Sequence, residues 1–146
     1  MQMSSVERIF RDNLRLGIKD AVIEVQDEAQ SNHRFTSQSG DLERAVETEF
    51  KSNGMAGRVY LDTNVAPYAG CVHQGTPAHN IFPQQRKWLR WPDGSRFIFA
   101  KAVHHPGTKA DEFLYKALET KRDEVEDILD RHVDRALEEV ANAFKR

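Results

Sequence analysis

Six histidines and a single cysteine are the residues of this 146-residue chain whose types could do chemistry: His33, His73, His79, His104, His105 and His132, with Cys71. Imidazoles converging from separate loops can hold zinc. His73 and His79 are close in sequence, and His104 and His105 form a second group. Adjacent residues of a strand point to opposite faces, so His104 and His105 are not expected to share a metal. The local spacings that mark zinc sites, Cys-x-x-Cys and His-Glu-x-x-His, do not occur. Cys71 and His73 have the types of a nucleophile and its base, but no residue marks an orienting group or an oxyanion hole. Beside Val72, Cys71 reads more simply as a small buried apolar side chain. The expectation is no catalytic residue, no metal and no cofactor.

Charge is distributed unevenly. Residues 1–83 carry 8 basic and 11 acidic side chains, and residues 111–146 carry 7 and 11. Between them Arg86, Lys87, Arg90, Arg96, Lys101 and Lys109 face Asp93 alone. Such a strip can meet phosphate or an acidic neighbour, or simply guard a solvated sheet edge. Trp88, Trp91, Phe97 and Phe99 interleave with these cations, which also suits stacking on nucleic acid. In a hairpin the same alternation predicts one buried aromatic face and one wet charged face. No apolar run is long enough for a membrane span, and residues 1–10 lack the pattern of a secretory signal. One cysteine allows no internal disulfide.

The elements that must position these residues follow from periodicity. Phe10, Leu14, Ile18, Val22, Val25 and Ala29 repeat every three or four residues, predicting a helix from Ser4 to about Asn32 with Ser4 or Ser5 as its cap. Gly17 interrupts it at a cost of about 1 kcal/mol relative to alanine. Residues 32–40 read as a loop. Val46 to Lys51 and Arg58 to Asp62 flank an Asn53-Gly54 turn, and Lys87 to Trp91 and Arg96 to Ala100 flank Pro92-Asp93-Gly94-Ser95. Two hairpins predict a small antiparallel sheet of four strands. From Asp111 to Phe144, Leu114, Leu118, Val125, Leu129, Val133, Leu137, Val140 and Phe144 predict one long helix. The fold class is therefore α+β, in one domain. It comprises an N-terminal helix (1–34), a β-core with two loops (35–110) and a C-terminal helix (111–146).

Two Gly-Thr motifs, Tyr68-Ala69-Gly70-Cys71-Val72-His73-Gln74-Gly75-Thr76 and His105-Pro106-Gly107-Thr108, complete the pattern, with a strand-turn-strand segment between them. With Ser39-Gly40-Asp41-Leu42 before them and Phe113, Leu114, Ala117 and Leu118 after, the chain resembles the tail-component family of long-tailed bacteriophages. These are neck, head–tail joining or tail-completion proteins. Ser39 stands where the family pattern has threonine.

The resemblance implies a virion structural protein, not an enzyme, assembled in the bacterial host cytoplasm. It would form a homo-oligomeric ring of six or twelve copies beside other neck, connector and tail proteins, with genomic DNA in the lumen and no membrane. Tyr68, Gly75, Thr76, His105, Pro106, Gly107 and Thr108 would then be structural loop residues. Arg86, Lys87, Arg90, Arg96 and Lys101 would face DNA or a partner subunit. Leu129, Val133, Leu137 and Val140 would meet the first helix or an adjacent subunit. The alternative is a nucleic-acid-binding module built on hairpin 86–101.

Overall fold

A straight line of residues at every fourth position, Asn13, Gly17, Ala21, Val25 and Ala29, is buried along the first helix, α1 (Ser5–Ser31). The computed structural model describes residues 5–145, so the expected cap at Ser4 lies outside the described residues. The larger apolar side chains Phe10, Leu14, Ile18 and Val22 flank this line and are only half-buried. Small residues down the centre let a second helix approach closely, and a four-residue step follows the ridges on which helices pack. The second helix is α5 (Arg122–Phe144), which buries its own four-step line, Ile128, His132 and Ala136.

Residues 32–40 connect α1 to a short helix, α2 (Asp41–Arg44), and the first hairpin follows, β1 (Val46–Lys51) against β2 (Ala56–Leu61). Its register pairs Val46 with Leu61 and Lys51 with Ala56 across a four-residue connection. This hairpin lies on α1, where the Gln26 side-chain amide donates to the Val46 carbonyl at 2.7 Å and that of Gln30 to the Glu43 carbonyl at 3.0 Å. Next comes α3 (Ala69–Gln74), a helix where the first Gly-Thr motif alone gave no helical signal.

Two more strand pairs follow, of which the hairpin around Pro92-Asp93-Gly94-Ser95 was expected and the other was not. β3 (His79–Ile81) pairs with β6 (Val103–His105), and β4 (Leu89–Asp93) pairs with β5 (Arg96–Ala100). The expected four-stranded sheet is therefore corrected: each hairpin is its own two-stranded sheet. β1–β2 is covered by α1, while β4–β5 packs substantially on nothing but itself.

The expected single C-terminal helix is also corrected. It divides into α4 (Phe113–Thr120) and α5 at Lys121, whose φ of −94° and ψ of 5° leave the helical region. Hydrogen bonds still cross the joint, from Lys121 N–H to the Ala117 carbonyl and from Val125 N–H to the Lys121 carbonyl. The Lys121 ammonium is held between Glu24 of α1 at 2.5 Å and Glu124 at 2.8 Å, so the bend is pinned to the first helix. Those two carboxylates raise its pKa, Glu124 first. Beyond the break, α5 alone runs about 35 Å. The core centres on Val25, Ala29, Leu42, Val46, Ala66, Ala69, Phe113 and Ala117, with Phe35, Val59 and Leu61 packed against it.

Candidate functional site

The two Gly-Thr motifs meet residue to residue. Thr76 N–H donates to the Thr108 carbonyl at 2.9 Å, and Thr108 N–H returns a bond to the Thr76 carbonyl at 3.0 Å. Both preceding glycines have positive φ, 75° at Gly75 and 90° at Gly107. A side chain at Gly75 would begin 2.7 Å from the Thr108 carbonyl oxygen, and one at Gly107 would fall on the Thr76 carbonyl oxygen. Only glycine suits both the dihedral and the approach. His105 braces the turn by accepting from Gly107 N–H through Nδ1 at 3.1 Å, while Tyr68 is half-exposed at the start of α3. Pro106 stands exposed between them.

Asp111 secures this clasp to the body. Its buried carboxylate accepts from the backbone N–H groups of Arg34 (2.6 Å) and Phe35 (3.1 Å), from the Arg34 guanidinium (3.4 Å) and from the Lys116 ammonium (3.2 Å). Its own N–H donates to the Val72 carbonyl at the end of α3. Burial opposes ionisation of Asp111, but these donors outweigh it and hold its pKa below the ordinary carboxylate value. The Arg34 and Phe35 partners of Asp111 lie 77 and 76 residues away, and no local pattern encodes them.

The histidines do not converge. His73 is buried edge-on to Phe113 and Tyr115, with ring centroids at 5.3 and 4.9 Å. Burial depresses its pKa against the opposing pull of Glu112 and Asp111, so it is a neutral packing residue. His33 stacks on Phe35 at 3.6 Å, His79 stacks on His105 at 5.1 Å, and His104 bonds Asn80 on the other strand face. His132 lies between α1 and α5. No group of three or more His, Cys, Asp or Glu residues is placed to hold a metal among the described residues. Cys71 is exposed rather than buried, a correction of the expectation. Two positions from His73 on α3, it cannot face that imidazole.

The expectation of one buried aromatic face on β4–β5 is likewise corrected: the register puts Trp91 and Ile98 on one face and Phe97 and Phe99, with Arg90, on the other. Trp88, Trp91, Phe97, Ile98 and Phe99 are all exposed, Phe99 at 59% and Phe97 at 53%. The hairpin is an arm with no body beneath it. Arg90 lies 4.2 Å over the Phe97 ring and Lys101 5.2 Å over Trp88. Among the described residues no carboxylate forms an ion pair with Arg86, Lys87, Arg90, Arg96 or Lys101. Residues 83–90 and Phe99 border an open hollow of about 610 Å³.

On the body, α1, β2 and α4 enclose an apolar groove of about 390 Å³, lined by Ala21, Val22, Val25, Val59, Leu114 and Leu118 among others. Of the expected C-terminal interface residues, Leu129, Val133 and Val140 are half-buried and Leu137 is 52% exposed. They flank the buried line Ile128–His132–Ala136 rather than forming it. Polar His132 and small Ala136 hid that line from a reading based on large apolar residues. The chain matches no family model, no curated protein and no solved structure.

Proposed function

We propose that this chain is a structural subunit of the neck of a long-tailed bacteriophage. It serves in a ring that joins the head-side connector to the tail or completes the tail, with DNA passing through the lumen. One observation carries the reading: the two Gly-Thr motifs behind the resemblance form a mutual clasp at the root of an exposed basic arm. A helical body, a braced root and an arm that buries nothing of its own chain suit a part whose surfaces are completed by neighbours. The histidines and Cys71 are dispersed into packing and surface positions, which favours a non-catalytic role. The test is immunogold labelling of particles from a host carrying this gene, with native mass measurement of the complex they release. Label at the head–tail junction and a mass of six or twelve copies are expected, and particles without label would overturn the reading.

A second reading has its own observation. Unpaired arginines stand beside exposed aromatics on both faces of the arm, Arg90 with Phe97 and Phe99 and Arg96 with Trp91, where they can stack bases and neutralise phosphates. It requires affinity for DNA that falls steeply with salt and is lost on reversing Arg90 and Arg96 to glutamate.

A further inference from the structure

The arm and the groove are complementary surfaces on one chain that do not meet within it. The arm, residues 86–101, carries five cations and one acid, and one of its two exposed faces carries Phe97 and Phe99 with Arg90. The groove between α1, β2 and α4 is apolar, and its most exposed lining residues are Tyr115 (62%) and Leu118 (56%). Beside Tyr115 stand Glu112 at the start of α4 and Glu119 one turn further along it, with Asp123 in the first turn of α5 beyond the break. None of these three carboxylates has an ion-pair partner among the described residues. Cations of the groove floor do not compete, since Arg58 is already held by Glu49 at 2.5 Å. Unpaired positive charge around an aromatic ridge therefore faces unpaired negative charge around an apolar trough.

We propose that the β4–β5 arm of one copy docks in the α1–β2–α4 groove of a second copy. The Phe97–Phe99 face fills the trough, and Arg90, on that face, reaches Glu112 and Glu119. Charge complementarity favours this occupant over nucleic acid, which the acidic edge of the groove repels. The contact is heterologous: each copy gives an arm and receives one. Such contacts propagate head to tail and close into a ring where the rotation allows. The inference deepens the ring reading above, with a readout that needs no phage particle.

Sedimentation of the purified full chain, at concentrations up to about 1 mM, tests it with two variants at exposed positions. Phe99→Asp disables the arm and Leu118→Arg disables the groove. Arg90→Glu with Arg96→Glu is a second arm variant, and circular dichroism checks that each is folded. The wild type is expected to associate with rising concentration, and each variant alone to remain monomeric. An equimolar mixture of Phe99→Asp and Leu118→Arg should form dimers and nothing larger, because only one intact arm–groove pair remains. A wild type that stays monomeric overturns the docking while leaving the neck reading to the particle experiment. Variants that associate as wild type, a mixture without dimers, or arm variants that lose only DNA binding overturn it as well.

Discussion

His132 of α5 fills the space that Gly17 of α1 leaves empty. A side chain at position 17 would begin 3.1 Å from the His132 Cβ, and the imidazole Nε2 lies 3.0 Å from Asp20 one turn further along α1. The glycine that looked like a helix defect is where α1 makes room for a side chain of α5. Gly17→Leu is expected to cost about 1–3 kcal/mol by overpacking, despite leucine's better helix propensity. Thermal denaturation checks this. A melting temperature above wild type would show that the helices part freely at this level.

Asp111→Ala should destabilise the chain by about 2–4 kcal/mol, because it strands the Arg34 and Phe35 N–H groups in a buried setting. Hydrogen exchange would then accelerate first around residues 34–35. Unchanged exchange there would mean that Asp111 does not hold the clasp to the body.

Acid should unfold the protein in two stages. Both His73 and Asp111 have folded pKa values below their ordinary ones, so the unfolded chain binds more protons and stability falls with pH. The His73 contribution is intact above the ordinary imidazole value of 6.5 and is lost as pH falls through its lower folded value. That of Asp111 is intact above 3.8 and is lost below it. Stability curves of His73→Leu against pH should lack the first stage and keep the second. A variant with the wild-type profile would remove His73 from the account.

Gly75→Val and Gly107→Val should each cost at least about 2 kcal/mol, since both the backbone dihedral and the opposing carbonyl exclude a β-branched residue. By comparison, His79→Ala and His104→Ala are exposed changes expected to stay within about 0.5 kcal/mol. Chemical denaturation of all four orders them. Histidine variants worse than the glycine variants would return attention to chemistry at the imidazoles.

Leu137→Asp should leave the isolated chain as stable as wild type within about 0.5 kcal/mol, because Leu137 is half-exposed. Ala136→Asp, one residue earlier at a wholly buried position, should cost about 3 kcal/mol or more. If the two variants melt alike, the buried line has been misplaced by one residue.

The parts of this fold that were legible in sequence are those governed by local rules. The first helix and the β1–β2 hairpin follow from periodicity and from Asn53-Gly54, and both emerge within a residue or two of expectation. Val25 and Ala29 of α1 were read correctly, while the rest of that buried line and the line of α5 sit one position from the expected residues, because Gly17, Ala21, His132 and Ala136 contribute closeness rather than hydrophobicity. The bend at Lys121 depends on Glu24, and the anchoring of the clasp on Arg34 meeting Asp111, both long-range pairs without a local signature. The two Gly-Thr motifs were conspicuous individually, yet only the fold shows that each closes the other. The arm was misjudged because alternation tells which residues share a face, not whether anything lies beneath it.

Seen from the body, the polypeptide departs at Thr76 and returns at Thr108 through adjacent hydrogen bonds, with His105 and Gly107 kept beside them. The free energy of closing such an excursion changes slowly with its length, by about 0.6 kcal/mol per doubling. The arm can therefore be lengthened, shortened or exchanged while the helices keep their packing. Natural drift in partner preference can accumulate there without the scaffold being refolded. For an engineer, that makes the Thr76–Thr108 junction a socket into which foreign recognition hairpins can be grafted.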